Sequence, residues 1–97
     1  MFVLHVDMKV KPESLEALVI TYLQIFKPAI TRQEGFKGAE LLRPREDGSD
    51  HRLTIAFDHQ ASQQKWIATD LHQDVWGQME AACSGYTVLL YDSVAVC

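Results

Sequence analysis

The sequence predicts an α+β domain with four strands and two helical regions. Three observations predict this class: strict alternation of apolar and polar residues near the N-terminus, two apolar patterns at helical spacing, and a polar turn between two alternating segments. The chain has 97 residues, of which 47% are hydrophobic and 23% are charged. This composition excludes a disordered chain, and we expect one domain over residues 1–97.

The first half of the pattern is a strand followed by a helix. Phe2 to Val10 alternates strictly, which predicts a strand covered on one side. The residues KPES at 11–14 end this strand, and Glu13 or Ser14 starts a helix whose apolar positions continue to Ile30. Pro28 is expected to bend or fray the last turn.

A hairpin is predicted in the middle of the chain. Gln33 to Gly35 closes the first helix, and a strand follows over Phe36–Pro44, with Gly38 marking a bulge or a close backbone approach. The polar turn 46–50 joins it to a third strand, His51–Asp58. Two alternating segments joined in this way favour an antiparallel hairpin.

The stretch Ala61–Cys83 is predicted to be helical and carries the main chemical signal. Ser62 is a candidate N-cap, and Thr69-Asp70 is a candidate interruption where a second helix begins. On one continuous helix at 100° per residue, a single apolar arc contains Leu71, Val75, Ala68, Met79, His72, Cys83 and Trp76.

The last predicted strand is Tyr86–Cys97, after Ser84-Gly85 ends the helical region. Asp92 is its one formally charged residue, so we expect burial on both faces. The order strand, helix, strand, strand, helix, strand is that of ferredoxin-like domains, with both helices on one face of an antiparallel sheet. The other sheet face is mixed but apolar enough to favour a symmetric dimer.

Charge and cysteine usage exclude several classes of partner. The net charge is −4 and the basic residues are scattered, so we expect no nucleic acid and no membrane surface as partner. No apolar run is long enough for a membrane span, and the N-terminus does not resemble a signal peptide, so we expect a soluble cytoplasmic protein. Cys83 and Cys97 are interpreted as a buried hydrophobe and an incidental thiol, since no Cys-x-x-Cys occurs.

His72 is the strongest candidate for a functional side chain. It lies inside the apolar arc, three and four residues from Val75 and Trp76, where most helices place Leu. The alternative is a packed histidine that bonds to a backbone carbonyl. His5, His51 and His59 are too dispersed for a metal set, and no acidic pair, phosphate loop or nucleophile elbow is present.

Several segments resemble the antibiotic biosynthesis monooxygenase family of dimeric α/β-barrel proteins. These are KPES, EGFKGAELLRPREDGSDHRLTIAFDHQAS across the hairpin, and KWIATDLHQDVWGQM in the second helical region. The resemblance implies a homodimer in which each subunit has a mostly apolar pocket between helices and sheet. Members oxidise quinols or anthrones with O₂ without metal or flavin, others open haem, and one branch isomerises a sugar-derived signal.

The resemblance implies a cofactor-independent monooxygenase that acts on a small aromatic or quinol-like metabolite. His72 matches the family's helix histidine and would be the general base, because an imidazole among apolar groups has a lowered pKa. Trp66 and Trp76 would stack on a planar substrate, with core packing as the alternative for each. The same pocket is expected to include Tyr22, Phe26, Val6 and Phe57.

Besides isomerisation in the same pocket, which the sequence does not separate from oxygenation, two alternatives stay open at the sequence level. In the haem-degrading branch, a sheet asparagine falls on Val6 here and the axial histidine falls on Trp76, which makes haem turnover a weak prediction. The other alternative is a non-catalytic protein that uses the same scaffold to hold an apolar ligand or to stabilise a partner.

Overall fold

A four-stranded antiparallel sheet forms the centre of the structure. The computed structural model describes residues 1–96, so Cys97 and the end of the last predicted strand lie outside it. The strands are β1 (Phe2–Val10), β2 (Phe36–Leu42), β3 (His51–Phe57) and β4 (Cys83–Asp92), in the order β2-β3-β1-β4. All neighbouring strands are antiparallel, which confirms the predicted ferredoxin-like fold.

The helices cover one face of this sheet. The first helical region comprises α1 (Leu15–Thr21), a π-helical turn (Tyr22–Phe26) and α2 (Lys27–Thr31); the second comprises α3 (Gln60–Ile67) and α4 (Asp70–Glu80). Alternate strand residues point into the layer between helices and sheet, and these form the core with the helices: Phe2, Leu4, Val6, Met8, Leu53, Ile55 and Phe57. Within residues 1–96, no helix has the length and apolar character needed to cross a membrane.

Pro28 is accommodated by a change of helix type. Because proline lacks an N–H and its ring clashes with the carbonyl four residues earlier, a regular α-helix cannot pass through it unchanged. The turn before Pro28 is π-helical, and the Lys27 N–H donates to the Tyr22 carbonyl five residues earlier. The predicted bend or frayed end is therefore replaced by a wider turn, and the helix continues to Thr31.

The second helical region is divided, as one of the two alternatives predicted. α3 ends at Ile67, and α4 begins after Thr69, whose side chain caps it. The proposed cap at Ser62 is wrong, because His59 occupies the N-cap position of α3 and Ser62 lies within the helix.

The arc drawn on one continuous helix is wrong in three of its members, of which Ala68 is exposed at the end of α3. Leu71 is 45% exposed, because the new start at Thr69 rotates it away from the sheet. Cys83 belongs to β4, since α4 ends at Glu80, and Ser84-Gly85 lies within the strand instead of ending the helix. The Cys83 thiol is buried, as expected for a small hydrophobe.

The hairpin of β2 and β3 is confirmed, including its bulge. The pairing shifts between Phe36 and Gly38, so Lys37 is the additional residue in β2. β2 ends at Leu42 and β3 at Phe57, which is shorter than the predicted strands.

β4 differs most from its prediction. Burial on both faces was expected, but most of the strand is exposed. The reason is topological: β4 pairs with β1 alone and is therefore an edge strand, although its sequence resembles a central one. Its side chains Val88 and Leu90 point to the helix side, since they pair with Val6 and Leu4.

Replacing Gly35 by Ala is expected to destabilise the fold. Gly35 has φ +80°, and a Cβ there would meet the Asp58 carboxylate and the Ser62 hydroxyl. A left-handed backbone costs a non-glycine residue about 1–2 kcal/mol, and overpacking adds about 1–3 kcal/mol. Gly48→Ala is the matched control, because Gly48 has φ +85° but open space around it. Urea unfolding should show a larger loss for Gly35→Ala; equal losses would contradict the steric argument.

Candidate active site

A cleft between the helices and the sheet is the main candidate site. Its volume is about 640 Å³, which is within the usual range for small-molecule pockets. The sheet contributes an apolar wall: Leu4, Val6, Ile55, Phe57, Val88 and Leu90. The helices contribute two indoles, an imidazole and several amides: Trp66, Trp76, His72, Gln60, Gln63, Gln64 and Gln73. The cleft is open on the side of β4, where Leu90 is 54% exposed.

The Thr69 hydroxyl fixes the relation between the two principal side chains. Its Oγ1 donates to the Trp66 carbonyl at 2.7 Å and accepts from the His72 backbone N–H at 3.1 Å. This is the N-cap geometry by which threonine satisfies an otherwise free amide at a helix start. The cap therefore positions the backbone of His72 directly after the helix that carries Trp66.

His72 projects into the cleft beside an indole. Its ring meets Trp66 edge to face, with 5.1 Å between ring centroids. Nδ1 is buried and has no hydrogen-bond partner within residues 1–96, so no backbone carbonyl anchors it. The alternative interpretation of His72, as a packed histidine, requires a hydrogen bond to a backbone carbonyl. Burial lowers the pKa of His72 from its ordinary value of 6.5, because the charged form would be desolvated.

Aromatic packing holds the indoles in place. The Phe26 ring stands 6.4 Å from both Trp66 and Trp76, edge to face in each case. Trp76 also meets Tyr86 of β4 at 5.1 Å. Trp66 is 3% exposed and Trp76 is half-buried, so Trp66 serves the core more than Trp76 does. Both nevertheless line the cleft.

Six of the seven residues predicted for the site line this one cleft: Val6, Phe26, Phe57, Trp66, His72 and Trp76. Tyr22 does not, and its placement in the pocket is wrong. Tyr22 stacks on Phe26 at 6.1 Å but lines a different depression, with Leu41 and His51. The stacked rings share one side of the helix but are one turn apart, so Phe26 contacts the two indoles and Tyr22 lies farther from them.

The prediction missed the amide side chains of α3. Gln63 is buried at 8% exposure and lies three residues before Trp66, so helical spacing places both on one face. Gln60, Gln63, Gln64 and Ile67 follow the spacing i, i+3, i+4, i+7 that marks a common helix face. This spacing is visible in the sequence, but the prediction rested on apolar residues at helical spacing and did not include polar ones.

The remaining histidines lie elsewhere. His5 is on the outer sheet face beside Tyr91, with 4.9 Å between ring centroids. His51 is at the start of β3, and burial lowers its pKa from 6.5. Within residues 1–96, no three His, Cys, Asp or Glu side chains come close enough to hold a metal ion.

Comparison with known proteins settles the family. A sequence model of the antibiotic biosynthesis monooxygenase family matches residues 1–76, which is most of the chain. The chain belongs to this family. No curated protein matches it significantly. The predicted resemblance is therefore confirmed, and the matched range contains Trp66, His72 and Trp76.

Solved structures support the same fold. A candidate antibiotic biosynthesis monooxygenase from Caulobacter crescentus has a TM-score of 0.84 at 14% identity, covering 97% of this chain and 90% of that one. A corresponding protein from Deinococcus radiodurans has a TM-score of 0.84 at 10% identity, covering 100% and 96%. The haem degrader MhuD of Mycobacterium tuberculosis, with two haems in its active site, has a TM-score of 0.81 at 16% identity, covering 100% and 99%. Identities this low establish the fold alone.

Stability should rise with pH in a window that ends near 6.5. His72 and His51 have folded-state pKa values below 6.5, so between those values and 6.5 the unfolded chain binds more protons than the folded one. Protonation therefore favours unfolding as the pH falls through this window. In urea titrations across the window, His72→Gln should reduce the slope of stability against pH, and His51→Gln should do so independently. An unchanged slope in both variants would contradict the lowered folded-state pKa values of these two histidines.

Proposed function

We propose that this protein is a cofactor-independent monooxygenase that oxidises a small aromatic or quinol-like metabolite with O₂. The observation that carries the proposal is a desolvated imidazole, without a partner at Nδ1, in a cleft between indoles and an apolar sheet. Membership of a monooxygenase family supports the general reaction class. The substrate and the independence from a cofactor are our own inference.

In this proposal His72 acts as the general base. Burial keeps the imidazole neutral near pH 7, so it is able to accept a proton from a phenolic or enolic substrate. A general base works best when its pKa lies near the working pH, and a lowered histidine pKa keeps the base form dominant there. The indoles of Trp66 and Trp76 would hold the planar ring against the sheet.

The oxygen chemistry would then belong to the substrate. An anthrone that has lost its proton is electron-rich and transfers an electron to O₂; the resulting pair combines at carbon to give a peroxide. Loss of water from the peroxide leaves a carbonyl. One oxygen atom enters the product, and the other leaves as water with the two hydrogens of the original CH₂ group. The apolar wall would limit the access of bulk water to these intermediates.

The residues in the cleft do not fit the haem-degrading branch. Val6 and Trp76, which occupy the positions of its asparagine and its axial histidine, both line the cleft. A valine side chain forms no hydrogen bond, and an indole nitrogen is a donor without a lone pair for iron. His72 is the one imidazole among the described residues that line the cleft, and as an iron ligand it would require a different position of the haem.

A non-catalytic ligand-binding protein is the second candidate. The open side of the cleft along β4 favours it, because an oxygenase profits from a site closed to water. Such a protein would show stabilisation by ligand without turnover.

Oxygen consumption with 1,8-dihydroxyanthrone tests the enzyme proposal. The wild-type protein should consume O₂ above the spontaneous rate and form the anthraquinone, and His72→Ala should lower kcat by about 10²–10⁴-fold, as expected for loss of a general base. His59→Ala is the matched control, since His59 is an exposed histidine outside the cleft. Equal activity of the wild type and His72→Ala would exclude His72 as the base. Binding of the anthrone without any O₂ uptake would favour the second candidate.

We further propose that two copies pair through the outer sheet face. This face carries exposed apolar side chains, including Leu89 and Tyr91, on the strand that borders the sheet. The charges at its centre neutralise each other, because Arg52 Nε donates to Asp7 Oδ1 at 2.7 Å and Nη2 donates to Oδ2 at 3.2 Å. An apolar face with an internally paired charge is suited to burial against its own copy.

Light scattering after size-exclusion chromatography tests the pairing. The wild type should have the mass of a dimer, and Leu89→Glu should shift it to a monomer, because the new carboxylate would be buried without a partner. Leu23→Glu is the control, since Leu23 is equally apolar and exposed but lies on the helical side. A monomeric wild type, or a dimer that tolerates Leu89→Glu, would reject this surface.

A further inference from the structure

The charges around the cleft are distributed unevenly. Among the described residues that line it, none is Lys or Arg, and Glu80 is the one with a formal charge. His72 adds no positive charge near neutral pH, because burial lowers its pKa. Lys9, Arg43 and Arg45 border a separate groove, which is also lined by Glu46, Asp47 and Asp50. The cleft thus has one anionic group and no cation to balance an anionic ligand.

Gln63 is the second unusual feature. Among residues 1–96, Gln63 is the one buried residue with a polar or charged side chain. Its amide makes no hydrogen bond to another described residue and is not among the fully buried unpaired atoms, so it is open to the cleft beside Trp66. A side-chain amide in the wall of a pocket is able to donate and to accept hydrogen bonds, and such groups fix the orientation of a ligand. A ligand with an oxygen at this point would supply the missing partner.

We propose that the cleft selects an uncharged, planar, oxygen-bearing aromatic whose polar edge is bound by Gln63, and that Glu80 disfavours carboxylated or phosphorylated analogues. This proposal rests on the function proposed above and narrows its substrate class. It assigns specificity to two residues that take no part in proton transfer.

Both halves of the proposal follow from desolvation. A carboxylate or phosphate entering the cleft would lose water without gaining a cation, and it would approach Glu80, so its binding is doubly penalised. A quinone carbonyl or phenolic hydroxyl avoids that penalty and is able to bond to the Gln63 amide, which has both a donor and an acceptor. The flat remainder of the ligand would contact the apolar wall of the sheet.

Titration calorimetry with a pair of redox-stable probes tests the proposal. The pair is 1,8-dihydroxyanthraquinone and its 3-carboxylic acid, which differ in one charge. The neutral probe should bind at least about 10-fold more tightly, since an ion that is buried without a partner is strongly penalised. Glu80→Gln should narrow this ratio, whereas Asp74→Asn, which removes a charge from an exposed residue of the same helix away from the cleft, should leave it unchanged.

Gln63 is tested with the neutral probe. Gln63→Met keeps the length of the side chain and removes the amide, so affinity should fall by about 3–10-fold, the usual range for one neutral hydrogen bond. Gln78→Met is the matched control, because Gln78 is exposed on α4 and does not line the cleft. Thermal unfolding of each variant separates lost contacts from lost folding.

Three results would overturn the proposal: equal or tighter binding of the carboxylate, equal losses in Gln63→Met and Gln78→Met, or no binding of either probe. These binding measurements require no turnover. A preference for the neutral probe without O₂ uptake would retain this inference and reject the oxygenase. O₂ uptake without any preference would do the reverse.

Discussion

The hydrogen bonds of one hydroxyl group determine the geometry of the candidate site. Thr69 Oγ1 links the carbonyl of Trp66 to the backbone N–H of His72, across the break between α3 and α4. Without this break, a continuous helix would direct Leu71 toward the sheet. With it, Leu71 faces solvent, and His72 meets the Trp66 ring edge to face. The helix cap therefore orients the imidazole, and the residues of the pocket then determine its chemical environment.

The two faces of the sheet have different physical roles. The inner face contributes side chains to a core shared with the helices, and part of that face is left uncovered near β4, which creates the cleft. The outer face has no covering element in the described chain and combines apolar side chains with the Asp7–Arg52 pair. A layered α+β domain normally covers one sheet face with helices and has to expose or pair the other.

Local patterns in the sequence were sufficient for the elements but not for their environment. Alternation in β1, the hairpin and its bulge near Gly38 were predictable, because each depends on neighbours in the sequence. The exposure of β4 was not, because a strand's position in the sheet depends on partners far along the chain. The position of Tyr22 outside the cleft was not predictable either, because two residues one turn apart on the same helix face here border different depressions. His72 was singled out because it lies within an apolar arc, and Trp66 was proposed from the family resemblance, whereas Gln63 lies among similar glutamines and gives no such contrast.

The π-helical turn at Tyr22–Phe26 determines how this helix responds to the insertion or deletion of a residue. A π-helical turn contains one residue more than the α-helical turn it replaces, and here it is located directly before Pro28. The edge-to-face contacts of Phe26 with the two indoles therefore depend on this additional residue. Removing this residue would rotate the preceding helix by about 100° relative to Phe26. An insertion or deletion there would therefore alter the packing even if all the core side chains were kept.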